Sequence, residues 1–338
     1  DILIVSGSPL AFKINGRITH VGTEHLSPGD TEELIRAIYE LDRQRSLDAL
    51  LNSGDDDFSF SVSGLGRFRC SAYKQRSSLS AVLRIVSFSL PDADALHIPP
   101  AVLDLCGRQK GLILITGAAG SGKSTTLACM IDRINHTREG HVITLEDPIE
   151  FLHTHDRCIV SQREIAIDTA DCLSALRACL RQAPDVILLG EMRDYETVKT
   201  ALTAAETGHL VITTLHTQGA VSAIDRVIDA FPPAQQSQVR EQLAAVLKCV
   251  VCQQLLPGTG GGMVPAFEIL RVNQAVRNMI RECKNYQIDH VIQTSSAEGM
   301  IGMDQYLHRL YRDGGITAET AAQYAGDPAA LRRRIAAA

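Results

Sequence analysis

Residues 117–124 have the residue types and the spacing of a phosphate-binding loop. They read GAAGSGKS and fit the pattern G-x-x-x-x-G-K-[ST] in full. The glycines let successive backbone N–H groups turn toward a phosphate, and the following helix N-terminus adds partial positive charge. Lys123 is expected to lie between the β- and γ-phosphates, and Ser124 to offer its hydroxyl to Mg²⁺. The predicted ATP-binding residues are Gly117, Ala118, Ala119, Gly120, Ser121, Gly122, Lys123, Ser124 and Thr125.

Phosphoryl transfer to water also needs a carboxylate near the metal. An apolar run at residues 185–189 leads through Gly190 to Glu191, at the expected carboxyl edge of a strand. Gly190 stands where many such ATPases carry aspartate. We therefore predict that Glu191 supports Mg²⁺ alone, through a bound water.

Three further carboxylates lie within residues 146–150, directly after another apolar run. We predict that Glu150 polarises the attacking water and that Glu146 and Asp147 tune the site. A solvated acidic turn without a catalytic part is the alternative interpretation.

Two histidines flank the apolar residues 210–215. Residues an odd number apart on a regular strand point to opposite faces, so at most one of the two faces the nucleotide. His216, at the carboxyl end, is predicted to sense the γ-phosphate, and His209 to fix the turn before the strand. An ordinary surface or core histidine stays the alternative for each.

The elements around these residues indicate a parallel sheet with helices. Near-continuous runs of β-favouring residues are typical of strands that are covered on both faces. The predicted strands are residues 112–116, 142–145, 186–189 and 210–214. The helix after the phosphate loop presents Leu127, Met130, Ile131 and Ile134 to the core.

The first part of the chain predicts a small α+β module. Asn15-Gly16 and Ser63-Gly64 are predicted as turns between strands. A helix is predicted from Ser27-Pro28, with Ser27 as its cap and with Leu34, Ile38 and Leu41 on its buried face. The predicted strands are residues 2–5, 11–14, 17–21, 58–62, 67–73 and 81–85.

The composition is that of a folded protein of about two domains. Of the 338 residues, 45% are hydrophobic and 21% are charged, which argues against disorder. The residues LPDAD at 90–94 and Pro99-Pro100 mark a linker. We predict an N-terminal domain at 1–88, a linker at 89–100 and an ATPase domain at 101–338, with a helical tail over about 273–338.

The net charge, the apolar runs and the cysteines limit the possible partners and cellular locations. The net charge of −6 disfavours nucleic acid as the main partner. No transmembrane segment or secretory signal is evident, and because residue 1 is not Met, some N-terminal sequence is expected to be missing. Nine scattered cysteines indicate reduced thiols in a cytosolic compartment, and Cys249 and Cys252 are predicted to be buried packing thiols.

The motifs together resemble those of the type II/IV secretion ATPases. ITLEDPIE at 143–150 resembles their acidic box, and GEMRD at 190–194 resembles their Walker B region. TAAETGH at 203–209, with TLHT at 214–217, resembles their histidine box. AVRNMIRE at 275–282 resembles the AIRNLIRE element of PilT-type pilus-retraction ATPases, and the resemblance extends to about residue 310.

This resemblance implies a PAS-like N-terminal domain and a RecA-like ATPase domain with a mostly parallel sheet. It further implies a homo-hexamer that hydrolyses ATP to drive pilus retraction and twitching motility. The implied location is cytoplasmic and peripheral at the inner membrane, beside a platform protein of the pilus machine. Ala118-Ala119 replaces the family's usual Pro-Thr, which is tolerable because the loop backbone does the binding.

The resemblance also implies roles for single residues. The acidic-box glutamate that matches Glu150 is the catalytic base, and the Walker B glutamate that matches Glu191 supports the metal. In the family, arginines from the N-terminal domain reach the phosphates. The matching arginines of this chain are Arg67, Arg69 and Arg84.

Other functions stay open at this point. A DotB-like type IV secretion motor or a pilus-extension motor shares the same motifs, although extension ATPases usually carry a tetracysteine site and this chain has one C-x-x-C. A nucleotide-gated scaffold without motor activity is an alternative of a different class. A helicase is disfavoured by the acidic balance, the absence of Trp and the lack of an aromatic–basic stripe.

Overall fold

The computed structural model describes residues 1–14, 17–41, 45–62, 65–86 and 90–337. The predicted turns at Asn15-Gly16 and Ser63-Gly64 therefore lie outside the described residues.

The chain divides into two compact units. The first comprises Asp1–Ser89 and Glu150–Leu152, and the second comprises Leu90–Ile149 and His153–Ala338. Glu150, the predicted catalytic base, thus belongs to the first unit, while the chain on either side of its segment belongs to the second.

An antiparallel sheet forms the described part of the first unit together with two helices. Its strands are Ile2–Ile4 (β1), Ala11–Ile14 (β2), Arg17–His20 (β3), Asp55–Val62 (β4), Gly66–Gln75 (β5) and Ser78–Val86 (β6). They lie in the order β3-β2-β1-β6-β5-β4, with antiparallel neighbours throughout. The helices are Pro28–Leu41 (α1) and Asp48–Ser53 (α2). Each strand overlaps a predicted one, which confirms the small α+β module.

Helix α1 begins where the sequence predicts, but its buried face is different. The hydroxyl of Ser27 accepts a hydrogen bond from the amide of Asp30 (3.2 Å), as expected for a cap. Leu34 and Leu41 were predicted to be buried and are 38% and 51% exposed. The buried residues of α1 are Thr31, Ile35, Ile38 and Tyr39.

Tyr39 explains the rotation of that face. Its ring packs on Phe58 of β4, with 4.7 Å between the centroids, and its hydroxyl donates to Asp56 (2.7 Å). Because consecutive helical residues are about 100° apart, burying Tyr39 turns Leu34 and Leu41 toward solvent. The helix was predicted from its own spacing, whereas the buried stripe is set by a contact with a distant strand.

A mostly parallel sheet of seven strands forms the centre of the described second unit. Its strands are Gly111–Thr116 (β7), Gly140–Glu146 (β8), Cys158–Glu164 (β9), Val186–Leu189 (β10), Leu210–Leu215 (β11), Leu247–Pro257 (β12) and Met263–Arg271 (β13). Their order is β13-β12-β7-β11-β10-β8-β9. The pair β12–β13 is antiparallel, and the other neighbours are parallel. The predicted α/β class is confirmed.

Strand β7 lies inside this sheet, between β12 and β11, and both of its faces are covered. Leu112 and Leu114 join one hydrophobic core, while Ile113 and Ile115 join the other. This double burial explains why the strand is apolar at every position from Leu112 to Ile115. It ends at Thr116, so the phosphate loop begins at the carboxyl edge of the sheet, where open α/β sheets bind ligands.

Helices cover the sheet and form the predicted tail. They are Pro100–Leu103 (α3), Lys123–Thr137 (α4), Cys172–Cys179 (α5), Tyr195–Glu206 (α6), Ala220–Asp229 (α7), Pro233–Val246 (α8), Gln274–Arg281 (α9), Ile288–Thr294 (α10), Met303–Arg312 (α11), Ala318–Tyr324 (α12) and Pro328–Ala336 (α13). The segment predicted as a linker at 89–100 overlaps α3 at Pro100. Proline fits there because the first helical N–H has no partner within the helix.

Candidate functional site

The phosphate loop joins β7 to α4 and is shaped by two glycines. Gly117 has φ +146°, and Gly122, the residue before α4, has φ +86°. A Cβ atom on Gly117 would lie 2.3 Å from the carbonyl oxygen of Gln253, and one on Gly122 would lie 2.8 Å from the side-chain nitrogen of Gln253. Gly117 therefore requires glycine for space as well as for conformation, because its neighbour is backbone, and Gly122 requires glycine for its conformation.

Lys123 is held over this loop. Its side chain is nearly buried, with the residue 8% exposed. Its ammonium Nζ donates to the carbonyl oxygens of Gly117 (2.8 Å) and Ala118 (2.9 Å). The positive charge is thus placed against the loop backbone, on the side where the predicted site needs it.

A buried hydroxyl also indicates that the loop fits an anion. Ser121 is 5% exposed, and its Oγ has no hydrogen-bond partner among the described residues. Buried polar atoms usually have partners, so this hydroxyl is available to an acceptor such as a phosphate oxygen. Together with the ammonium of Lys123 and the loop amides, it makes a cradle of donors that fits a nucleotide phosphate.

His216 connects Lys123 to Glu191. Its Nδ1 lies 3.5 Å from Nζ of Lys123, and its Nε2 lies 3.4 Å from Oε2 of Glu191. An ammonium can only donate, so Nδ1 is the acceptor and Nε2 carries the hydrogen that points at the carboxylate. The ring therefore links the phosphate loop to the carboxylate that follows β10.

Arg193 completes the group, although it is not among the predicted site residues. Its Nε donates to Oε2 of Glu191 (2.7 Å), and this hydrogen bond raises the pKa of Arg193 above its ordinary value. Glu191 is thus held from two sides, by His216 and by Arg193. The position of Arg193 two residues after Glu191 is the signal in the sequence that could have indicated this contact.

The acidic segment after β8 is anchored at both ends within the second unit. Glu146 accepts hydrogen bonds from the hydroxyl of Thr144 (2.6 Å) and the amide of Gln162 (3.2 Å). The amide of His153 donates to Oε1 of Gln162 (2.8 Å). Asp147 and Glu150 are exposed between these anchors.

His209 lies at the turn before β11, at the opposite end of that strand from His216. Its Nδ1 lies 3.0 Å from the carbonyl oxygen of Ala204 and 3.4 Å from the hydroxyl of Thr207. These contacts fix the turn, as the sequence predicts for this histidine.

The three arginines predicted to reach the phosphates share one face of the sheet in the first unit. Arg69 and Arg84 are paired across β5 and β6, and Arg67 lies two residues before Arg69, so alternation places all three on the same side. Arg84 is exposed, and its Nε donates to Oδ1 of Asp1 (2.9 Å). Phe68 points the other way, toward the core of this unit.

The loop cluster is thus built from residues of the second unit alone. The structure brings together Lys123, His216, Glu191 and Arg193. Glu150 and the three arginines belong to the first unit.

Cys249 and Cys252 are buried in β12, as predicted. They are 0% and 3% exposed, and burial raises the pKa of both thiols, to about 12 for Cys249. The hydroxyl of Thr116 donates to Sγ of Cys252 (3.0 Å). In the described part of the chain, no three His, Cys, Asp or Glu side chains gather in a way that could hold a metal ion.

Within the described residues, no helix combines the length and the apolar character that a bilayer crossing requires.

Comparison with known proteins identifies a matching family and similar single proteins. The family model described as type II/IV secretion system protein matches residues 12–285. The chain is 45% identical over 311 residues to uncharacterized protein YggR of Escherichia coli (strain K12), covering 92% of this chain and 94% of that protein. It is 40% identical over 328 residues to the type IV pilus retractation ATPase PilT of Pseudomonas aeruginosa, covering 97% and 94%.

The fold has a matching solved structure. The crystal structure of the pilus retraction motor PilT with bound ADP superposes with a TM-score of 0.91 at 47% identity. The match covers 98% of this chain and 94% of that one.

Proposed function

The chain is an ATPase of the type II/IV secretion system protein family, and we propose that it works as a hexameric motor that drives type IV pilus retraction. The observation that carries this proposal is the 40% identity to a pilus retraction ATPase over 97% of the chain. The cluster of Lys123, His216 and Glu191 at the carboxyl edge of the sheet supports a complete nucleotide site.

ATP would bind with its phosphates on the amides of residues 117–125 and on Lys123. The ammonium now donates to two backbone carbonyls. Phosphate oxygens are stronger acceptors because they are charged, so the ammonium is expected to exchange the carbonyls for them. Ser121 contributes its buried hydroxyl.

The residues that would hold Mg²⁺ are Ser124 and Glu191. A hydroxyl and a carboxylate oxygen are the ligand types that Mg²⁺ prefers. When bound, the ion neutralises charge on the phosphates during transfer. His216 and Arg193 fix the direction of the Glu191 carboxylate.

Glu150 would accept the proton of the attacking water, and Arg67, Arg69 and Arg84 would stabilise charge on the γ-phosphate. The shared face of the three arginines supports this role, because several guanidinium groups can then reach one anion. Loss of the γ-phosphate removes that attraction. The resulting movement is limited by the difference in affinity between the two nucleotide states.

The proposed assembly is a homo-hexamer, cytoplasmic and peripheral at the inner membrane. Its proposed partner is the inner-membrane platform protein of the pilus machine. The similarity to PilT over nearly its whole length supports both statements.

Deleting the gene and imaging surface fibres tests the proposal. Hyper-piliated cells that do not twitch are the expected result. Bald cells would instead indicate a pilus-extension motor, and normal fibres with a secretion defect would indicate a DotB-like motor. Turnover by the purified protein below about one ATP per hour would indicate a nucleotide-gated scaffold.

A double variant in α9 separates retraction from ATP hydrolysis. Arg281 pairs with Glu241 (2.9 Å), and Arg277 has a buried Nε without a partner among the described residues. Their replacement by alanine removes little folding energy, because one surface ion pair contributes about 1 kcal/mol or less. We expect unchanged ATPase activity and no retraction. The control variant replaces the exposed Arg332 and Arg333 of α13.

A further inference from the structure

Gln253 is a buried polar residue of β12, the first of two adjacent glutamines that apolar residues flank on both sides. It is 3% exposed. The preceding residue, Cys252, pairs with Thr116 at the end of β7, so Gln253 lies beside the start of the phosphate loop. A buried side-chain amide is stable only where it is hydrogen-bonded, which raises the question of what it holds.

Gln253 contacts the loop and its helix at three points. Its Oε1 accepts a hydrogen bond from the hydroxyl of Thr126 in the first turn of α4 (2.7 Å). Its carbonyl oxygen and its side-chain nitrogen lie at 2.3 Å and 2.8 Å from the Cβ positions that Gly117 and Gly122 would have. One residue of a neighbouring strand thus touches both ends of the loop and the helix that follows it.

These contacts bear on the direction of the loop amides. The loop binds anions only when its N–H groups converge, and a preorganised arrangement of donors is what makes such a site effective. An apolar side chain at this position could fill the same space, but it would leave the Thr126 hydroxyl without an acceptor and would remove the amide nitrogen beside Gly122.

We propose that Gln253 is a positioning residue whose side chain holds the phosphate loop in its nucleotide-binding shape through its hydrogen bond with Thr126 and its position beside Gly122. It contacts the loop from the neighbouring strand β12 and does not contact the nucleotide. The proposal rests on nucleotide binding at residues 117–125 and is independent of what the motor moves.

The test compares Thr126→Val, Thr126→Ser and Gln253→Met in the full chain. Valine has the shape of threonine without its hydroxyl, whereas serine keeps the hydroxyl. The measurements are the affinity for a fluorescent ADP analogue, the KM for ATP and kcat. Gln254→Met is the matched control, because the same change is made one residue along the strand, where the side chain points to the opposite face.

We expect Thr126→Val and Gln253→Met to weaken ADP binding and raise KM by about tenfold, the effect of losing one buried hydrogen bond. Turnover at saturation should change less than twofold. Thr126→Ser and Gln254→Met should stay within about twofold of the original chain in affinity. Combining Thr126→Val with Gln253→Met should be no worse than either alone, since both remove the same interaction.

Equal affinity in the valine and serine variants would overturn the proposal, and so would a fall in kcat with KM unchanged. If Gln253→Met does not fold, as judged by thermal unfolding, the valine and serine pair still decides. A chain that binds no nucleotide at all would overturn the nucleotide site and this role together. If the purified protein shows normal nucleotide kinetics and cells without the gene show no retraction defect, only the proposed motor function is overturned.

Discussion

The phosphate loop of the second unit and the arginine face of the first hold their positive charges in different ways. Lys123 is 8% exposed and has two carbonyl acceptors at fixed distances. Arg84 carries a side chain that is 68% exposed and pairs with one surface carboxylate, that of Asp1. An exposed ion pair contributes little and is easily exchanged for another partner. The loop is therefore prepared before a nucleotide arrives, while the arginine is free to change its partner.

This difference predicts that binding depends on the second unit and that turnover depends on both. Lys123→Ala should have the largest effect, because it removes the ammonium that lies against the loop carbonyls of Gly117 and Ala118. We expect ADP binding to become undetectable and kcat/KM to fall by at least about 10³-fold. Lys284→Ala, at an exposed site, is the control. Retained binding in the Lys123 variant would contradict the comparison.

Glu150→Gln tests whether chemistry requires a residue of the first unit. The amide keeps the size of the carboxylate but cannot accept a proton from water, so kcat should fall by about 10³-fold. Affinity for ATP should be unchanged, which a binding assay under single-turnover conditions would measure. Glu319→Gln, at an exposed site of α12, is the control. Normal turnover in the Glu150 variant would remove it from the mechanism.

Single alanine variants of Arg67, Arg69 and Arg84 test the arginine face itself. A charge-assisted hydrogen bond is worth about 1.5–3 kcal/mol, so kcat should fall about 10- to 100-fold where the arginine reaches the γ-phosphate. ADP affinity should stay the same, since ADP lacks that group. Arg36→Ala on α1 is the control. If all three variants turn over ATP normally, the arginine face has no part in catalysis.

The phosphate loop could be predicted from the sequence, whereas the distant residues that pack against it could not. Phosphate binding by a loop needs glycines and a lysine at fixed local spacing, so residues 117–124 could be recognised without any structure. Gln253 could not, because its partner Thr126 lies 127 residues away. A Gln-Gln pair in an apolar strand was the available signal, and it indicated only that something polar was buried there.

The same limit explains the error in the first unit. The position of α1 follows from Ser27 and Pro28, which act locally, and it was predicted correctly. Its buried side is decided by the contact of Tyr39 with Phe58, which no local pattern contains. Strands, caps and the loop are therefore accessible from the sequence, whereas contacts between distant segments require the fold.

The two units should also differ in their response to mild acid. Burial lowers the pKa of His153, in the second unit, to about 4. Its Nδ1 has no partner within the described residues. Between about pH 7 and about pH 5 the unfolded chain takes up a proton that the folded chain does not, so stability falls as pH falls. The loss attributable to His153 is about 2 kcal/mol at about pH 5.

The first unit contains a carboxyl, that of Asp56, whose effect on stability is kept at about pH 5. Burial of Asp56 opposes its ionisation, but hydrogen bonds from Arg45 and Tyr39 outweigh this and hold the pKa of Asp56 below its ordinary value. A carboxyl with a lowered pKa keeps its stabilising effect until the pH falls to the ordinary pKa of an aspartate, so Asp56 predicts no loss of stability at about pH 5.

Thermal unfolding of the full chain and of His153→Leu, measured at about pH 7 and at about pH 5, checks the predicted loss in the second unit. The variant should lose less stability on acidification than the original chain, and His290→Leu, at an exposed site, should not. Equal losses of stability in the original chain and in His153→Leu would show that acid destabilises the protein through other residues. The difference between the two units would then rest only on the charges of the phosphate loop and of the arginine face.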